Sequence, residues 1–229
     1  MARIRSVLFD LDHTLLDFDR AERAALRAAL EEEGLAFSAS TLAEYRRIND
    51  DLWARYRRGE IAQSALARER FRRLLSRLSA RTRRAGAVAE RYLAHLSARG
   101  DRLPGCRPLL RRLRRRYRLA VVTNGIDRVQ RSRLQAASLT GFFDAVVTSE
   151  GCGFAKPDPR IVAVALRALG QAPEEAVYVG DDPGTDGAAA AAAGVTFYLM
   201  DRGLPHPPGQ RPPRRRLTRL DQLSRILNV

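Results

Sequence analysis

The sequence predicts an α/β protein: a parallel sheet covered by helices on both faces, with a bundle of helices inserted after the first strand. Three observations predict it. Five short apolar runs, each bounded by polar, Gly or Pro residues, have the length and composition of buried strands. Helix-length segments separate the last four, which is the alternation of a parallel sheet. About 110 residues lie between the first run and the second, far more than one crossover needs, and most of them read as amphipathic helix.

In chain order, "IRSVLF" (4–9) is the first strand. Residues 20 to 99 are almost wholly helical, with clear apolar stripes at 21–33, 41–57 and 62–78, and form a small bundle of their own. "RRLRRRYR" (111–118) continues a helical pattern whose stripe is Leu109, Leu110, Leu113 and Tyr117, leaving the arginines on a solvated face. "LAVVT" (119–123), "AVVTS" (145–149), "VYVG" (177–180) and "VTFYL" (195–199) supply the remaining strands. "GAAAAAAG" (187–194) is a helix whose small side chains permit close packing on the sheet. A Pro-rich loop, "LPHPPGQRPPRRR" (204–216), precedes a last amphipathic helix, "RLDQLSRIL".

The bulk composition narrows the partners. A hydrophobic fraction of 45% fits a soluble globular protein. No apolar run reaches the roughly 18 to 20 residues of a membrane span. The first residues, "MARIRSVLFDLDHTLL", carry two aspartates where a signal peptide would be apolar, so the chain reads as cytoplasmic. Cys106 and Cys152 suggest neither a disulfide framework nor a metal site. A net charge of +15 points to acidic partners. With few aromatics interleaved among the arginines, nucleic acid is disfavoured, and a small phosphorylated metabolite is the expected partner. Of the 41 Lys and Arg residues only Lys156 is lysine.

Ligands of such sheets collect at the carboxyl ends of the strands, and the chemistry-bearing residues lie there. "DLDHT" after the first strand supplies Asp10, Asp12 and Thr14; "TNG" at the end of the second supplies Thr123, Asn124 and Gly125. Lys156 lies in the loop after the third strand, and "GDDPGTD" after the fourth supplies Asp181, Asp182 and Asp186. Clustered carboxylates repel one another unless a cation joins them. An all-oxygen ligand set used for phosphate chemistry favours Mg²⁺. Mg²⁺ and Lys156 would counter the charge of a phosphoryl group, while Thr123 and backbone N–H groups hold its oxygens. In the DxD pair one carboxylate can attack phosphorus while the other handles the proton on the leaving oxygen.

These four motifs resemble those of the haloacid dehalogenase superfamily of phosphohydrolases. The resemblance implies a Rossmann-like core at 1–17 and 100–229 and a helical cap at 18–99. It implies that Asp10 is the nucleophile that becomes phosphorylated and Asp12 the general acid and base. Asp10, Asp181 and the backbone carbonyl of Asp12 would ligate Mg²⁺, with Asp186 supporting them. Thr123, Asn124, Gly125 and Lys156 would bind the transferring phosphate. His13 departs from the family, which more often has Gly, Asp or Glu there, and reads as a solvent-side variant.

Asp12 and Asp181 argue for the phosphatase branch over the dehalogenases, which lack the second motif-one Asp; mutases share all four motifs. The cap sequence, with Asn49, Leu52, Trp53, Tyr56, Gly59, Ile61, Arg70 and Phe71, is similar to the bacterial pyrimidine and house-cleaning 5'-nucleotidases. Trp53 or Tyr56 could stack on a base and Asn49 could bond its edge, or the two aromatics could be bundle core. The expected activity is hydrolysis of nucleoside 5'-monophosphates through a phospho-aspartyl enzyme, by a monomer or homodimer. The alternatives are another small-molecule phosphatase, for phosphoglycolate or a sugar phosphate, and a basic anion-binding protein with a vestigial site.

Overall fold

A computed structural model describes residues 3–203 and 214–228. Within it the chain divides into two compact units, Met1–Phe18 with Gly100–Val229, and Asp19–Arg99.

The first unit is built on a six-stranded sheet. Its strands are β1 (Ser6–Phe9), β2 (Arg118–Thr123), β3 (Ala145–Thr148), β4 (Ala176–Gly180), β5 (Thr196–Met200) and β6 (Arg216–Leu217). Their spatial order is β3-β2-β1-β4-β5-β6, and every pairing is parallel. This is the α/β architecture the apolar runs predict. β1 is central and all four of its residues are buried, as expected of a strand covered on both faces. Alternation sends Val7 and Phe9 into one apolar layer and Leu8 into the other. The register sets Phe9 beside Val121 and Val179, so β1, β2 and β4 end together at one edge.

One strand differs from expectation. β6 falls at the end of the Pro-rich stretch read as loop, where Leu217 is buried and Asp201 N–H donates to its carbonyl at 2.7 Å. Residues 204–213 of that stretch lie outside the described residues. The alanine-rich helix is also shorter than read, covering Ala188–Ala192 after a wide turn at Pro183–Gly187. A side chain at Gly187 would press on the Phe197 ring at 3.2 Å, which is the close packing that the small residues permit.

The helices carry their own start and stop signals. Labelled in chain order, they are α1 (Phe18–Glu31), α2 (Ala39–Arg57), α3 (Gln63–Arg77), α4 (Ala85–Ser97), α5 (Cys106–Leu113), α6 (Asp127–Ala136), α7 (Ser149–Cys152), α8 (Pro159–Leu169), α9 (Ala188–Ala192) and α10 (Asp221–Ile226). α8 shows the signals most fully: Asp158 caps it by accepting from Arg160 N–H, Pro159 opens it, and Gly170 closes it at φ 64°. The arginine-rich helix stops at Leu113, with Leu109, Leu110 and Leu113 buried as its stripe requires.

The second unit packs α1 from Asp19 onward with α2, α3 and α4 around Tyr45, Phe71 and Tyr92, whose ring centroids lie 5.3 to 5.7 Å apart. Charge enters this interior only with partners. Arg70 donates to the Tyr45 hydroxyl at 3.1 Å, and buried Glu22 accepts from Arg46 at 2.7 Å. Among the described residues no helix is long and apolar enough to cross a membrane.

Candidate active site at the strand ends

Asp10 follows β1 directly, its N–H donating to the Val179 carbonyl at 2.9 Å, which fixes it between β2 and β4. Its carboxylate, Asp181 and Asp186 hold oxygens within 4.8 Å of one another. Asp186 returns to the edge through the wide turn after β4. It can do so because Gly180 has no side chain, since a Cβ there would lie 2.3 Å from Asp186 Oδ2. Asp182 is not in the cluster; it caps the turn, accepting from Gly184 N–H at 2.8 Å and the Thr185 hydroxyl at 2.9 Å.

Lys156 closes the cluster from below. Its Nζ lies 2.5 Å from Asp10 Oδ1 and 2.6 Å from Asp186 Oδ1, and donates to the Val122 carbonyl at 3.1 Å. The residue is 3% exposed. Burial opposes its charge, but Asp10 and Asp186 hold it well above the ordinary lysine value. Its position is set by Asn124, whose side-chain amide accepts from Lys156 N–H at 2.8 Å and donates to the Lys156 carbonyl at 2.9 Å. The side chain of Asn124, expected at a phosphate, is thus spent on the lysine's backbone.

The carboxylates are under strain of charge. Burial, with Asp186 and Asp12 nearby, pushes Asp10 up to about 7 despite Lys156. Burial, with Asp10 and Asp186 nearby, raises Asp181 well above the carboxylate range. With three acids and one ammonium, full ionisation would leave the cluster with excess negative charge, which is why Asp10 and Asp181 hold their protons. Its donors are all oxygens, so the residues present fit a hard divalent cation such as Mg²⁺. Asp186 already accepts from Asp182 N–H at 3.2 Å, with the Tyr178 hydroxyl 3.3 Å away, which leaves Asp10 and Asp181 as the carboxylates facing such an ion.

Asp12 is handled differently. It is not in the cluster; its Oδ2 accepts from Gln130 at 2.9 Å and its Oδ1 from Arg133. Burial works against its charge, but the Arg133 guanidinium and the Gln130 amide bring its carboxyl below the ordinary value. Thr123, 2% exposed, accepts from Gly125 N–H at 3.2 Å and Gln130 Nε2 at 2.9 Å. Both lone pairs are then engaged and the O–H is left to donate to an anion. Thr14 is fully buried. His13, read as a solvent-side variant, is half-buried at φ 61°, edge-on to Phe18, and accepts from Arg202 at 2.7 Å.

Three residues of this site escape sequence reasoning: Tyr178 inside β4, and Gln130 and Arg133 on α6. The one available signal was their spacing, a polar pair at i and i+3 on the helix that opens just after "TNG". In the helical unit, Trp53 and Tyr56 are half-buried and packed edge to face with centroids 5.6 Å apart, apart from the buried Tyr45–Phe71–Tyr92 cluster. Asn49 is half-buried on the same helix, while Leu52, Arg70 and Phe71 belong to the interior.

Comparison with known proteins identifies the family and the fold. A sequence model of the haloacid dehalogenase-like hydrolases matches residues 4–194. The magnesium-bound crystal structure of HAD-hydrolase YfnB from Bacillus subtilis superposes with a TM-score of 0.89 at 28% identity, covering 100% of both chains. Pyrimidine 5'-nucleotidase PynA of Streptococcus pneumoniae is 35% identical over 191 residues, 82% of this chain and 80% of that one. Phosphoserine phosphatase of Thermus thermophilus is 36% identical over 225 residues, 88% of this chain and 90% of that one.

Proposed function

The chain belongs to the haloacid dehalogenase-like hydrolases, and from that premise we propose that it is a Mg²⁺-dependent phosphomonoesterase, acting on nucleoside 5'-monophosphates through a phospho-aspartyl intermediate. The observation that carries this reading is the Asp10 carboxylate, seated at the end of the central strand 2.5 Å from the chain's one lysine and in a cluster with Asp181 and Asp186.

In the first half-reaction an Asp10 carboxylate oxygen forms a bond to phosphorus as the bond to the ester oxygen breaks. Asp12, entering this step in its protonated form, gives the departing oxygen that proton and leaves as the carboxylate that Arg133 and Gln130 hold. Lys156 and the Thr123 hydroxyl hold the phosphoryl oxygens, their charge and dipole directed at the transferring group. In the second, Asp12 takes a proton from water as that water attacks phosphorus. The phosphorus–Asp10 bond breaks, releasing inorganic phosphate and restoring the carboxylate. Asp10, Asp181 and the Asp12 backbone carbonyl would hold Mg²⁺, which when bound supplies positive charge opposite the phosphoryl group.

The nucleotide part of the reading rests on the PynA relative and on the half-buried Trp53–Tyr56 pair, whose faces are not spent in the bundle interior. The phosphoserine phosphatase relative favours a second reading, another small phosphomonoester. The test is turnover of an aryl phosphate with and without Mg²⁺, followed by a panel of nucleoside monophosphates, phosphoserine, phosphoglycolate and sugar phosphates. Trp53→Ala should raise KM for a nucleotide roughly tenfold, matching a stacking loss of about 1 to 3 kcal/mol, and spare a small aryl phosphate. Preference for a non-nucleotide, with equal effects of Trp53→Ala on both substrates, selects the second reading.

A further inference from the structure

Arg133 is 0% exposed, yet it is a cation. Among the described residues the carboxylate that meets it is Asp12. Its Nη1 also donates to Gln130 Oε1 at 3.1 Å, its guanidinium carbon lies 5.4 Å from the Phe18 ring centre, and its Nε and Nη2 have no hydrogen-bond partner among the described residues. Burying a guanidinium costs free energy that one carboxylate recovers only in part, and an aliphatic side chain would fill the same volume without that cost. Stability therefore does not account for an arginine here.

Gln130, 2% exposed, supplies the second half of the arrangement. Its one amide nitrogen donates both to Asp12 Oδ2 and to Thr123 Oγ1, each at 2.9 Å. It joins the carboxylate expected to move the proton to the hydroxyl expected to hold the phosphate. A third observation comes from "TNG". Gly125 has no positive φ that would call for glycine. A Cβ there would lie 2.4 Å from Gln130 Nε2 and 2.6 Å from its Cδ and Cγ. The glycine is what lets the glutamine side chain pass over it to Asp12.

We infer that Gln130 and Arg133 are positioning residues that clamp the Asp12 carboxylate by both its oxygens, so that it meets the leaving-group oxygen in one orientation, and that Gly125 is the space the clamp needs. This rests on the reading of Asp12 as the general acid. Residues i and i+3 share a helix face, so α6 delivers both halves of the clamp from one rigid element. An oriented group reacts far faster than a loosely held one, and misplacement by about 1 Å can cost on the order of a hundredfold. The orientation matters most where the leaving oxygen needs its proton most.

The experiment compares kcat/KM for an activated aryl phosphate and for a nucleoside 5'-monophosphate, whose leaving alkoxide is poor. This ratio ends at phosphoryl transfer and excludes hydrolysis of the phospho-enzyme. Arg133→Met, Gln130→Leu and Gly125→Ala should each lower the nucleotide value by on the order of tenfold to a hundredfold more than the aryl value. Arg133→Lys should recover part of the nucleotide value. Gly125→Ala keeps every charge, so it carries the test if Arg133→Met does not fold. Equal losses on both substrates, no loss, or a gain on the nucleotide would each overturn the clamp; a gain would mean that Arg133 holds Asp12 out of the reaction. Asp12→Asn separates the two levels. If it lowers both substrates equally, the general-acid reading fails and the clamp with it. If it discriminates and the other variants do not, the clamp alone fails.

Discussion

In the helical unit, Glu69 on α3 accepts from Arg72 Nε at 2.7 Å and from Arg73 Nε at 2.9 Å, and Arg73 reaches on to Asp51 of α2 at 2.7 Å. At the strand ends of the other unit, Asp10 accepts from Lys156 at 2.5 Å. Each is a carboxylate beside a cation, yet the two groups are displaced in opposite directions. Hydrogen bonds from Arg72 and Arg73 bring Glu69 down to about 2, while burial takes Asp10 up to about 7. The difference lies in water and in stoichiometry. Glu69 is outnumbered by cations in a solvated setting. Asp10 is buried, and shares one ammonium with two other acids. A pair in water stabilises only modestly. A buried, over-acidic cluster stores unfavourable charge that a phosphoryl-binding cation would relieve.

The largest expected effect comes from removing the nucleophile. Asp10→Asn should abolish turnover, measured as phosphate release from an aryl phosphate, because no carboxylate oxygen remains to form the phospho-enzyme. The same change should stabilise the fold in the absence of divalent cation, and pH gives the sign. The folded carboxyl titrates near 7 and the unfolded one near 3.8, so between those values the native state binds more protons. Stability is fully present below the unfolded value and is lost as pH rises through the folded one. The Tm advantage of Asp10→Asn should therefore be small at pH 4, grow toward pH 7, and shrink again when Mg²⁺ is added. A Tm advantage that does not change from pH 4 to 7 would count against a buried acidic excess.

Lys156→Arg sharpens the comparison from the cation's side. The arginine keeps the charge, so a purely electrostatic role leaves turnover nearly intact. The ammonium, however, sits among Asp10, Asp186 and the Val122 carbonyl, with the Tyr178 ring centre 6.0 Å away. A planar fork does not fit that space without displacing the nucleophile, and a shift of about 1 Å can cost on the order of a hundredfold in kcat. Lys156→Arg should then lose nearly as much activity as Lys156→Ala. Activity within a few-fold of the wild type would show that charge alone is what position 156 supplies.

How much of this was legible in the sequence follows from where each residue sits. Parallel strands buried on both faces are continuous apolar runs, and Asp10, Thr123 and Asp181 stand at or just past their ends, so strand and chemistry could be read together. Lys156 stood out because every other basic residue is arginine. Gln130 and Arg133 were hidden inside a helix whose surface is rich in polar residues; nothing in the pattern separates an arginine that is 0% exposed from its solvated neighbours. Tyr178 was hidden in a strand, where it counted as apolar. β6 was illegible for another reason. Two residues have no periodicity, and the strand exists through backbone pairing to β5.

The smallest expected effect tests the other side of the comparison. Glu69→Gln removes the charge that Arg72 and Arg73 share but keeps the side chain's size. Exposed pairs of this kind contribute about 0.2 to 1 kcal/mol, so Tm should fall by about 2 to 4 °C at most, and the loss should shrink as salt is raised. Its pH dependence has the opposite form to that of Asp10. The folded carboxyl titrates near 2 and the unfolded one at 4.5, so the pair's contribution is present above pH 4.5 and disappears as pH falls toward 2. Between pH 5 and 7 the Glu69→Gln difference should therefore be flat, in the range where the Asp10→Asn difference is still growing. Thermal melts of both variants across pH 4 to 7, at low and high salt, measure the two together. If Glu69→Gln tracked pH as Asp10→Asn does, solvation and stoichiometry would not be what separates the two regions.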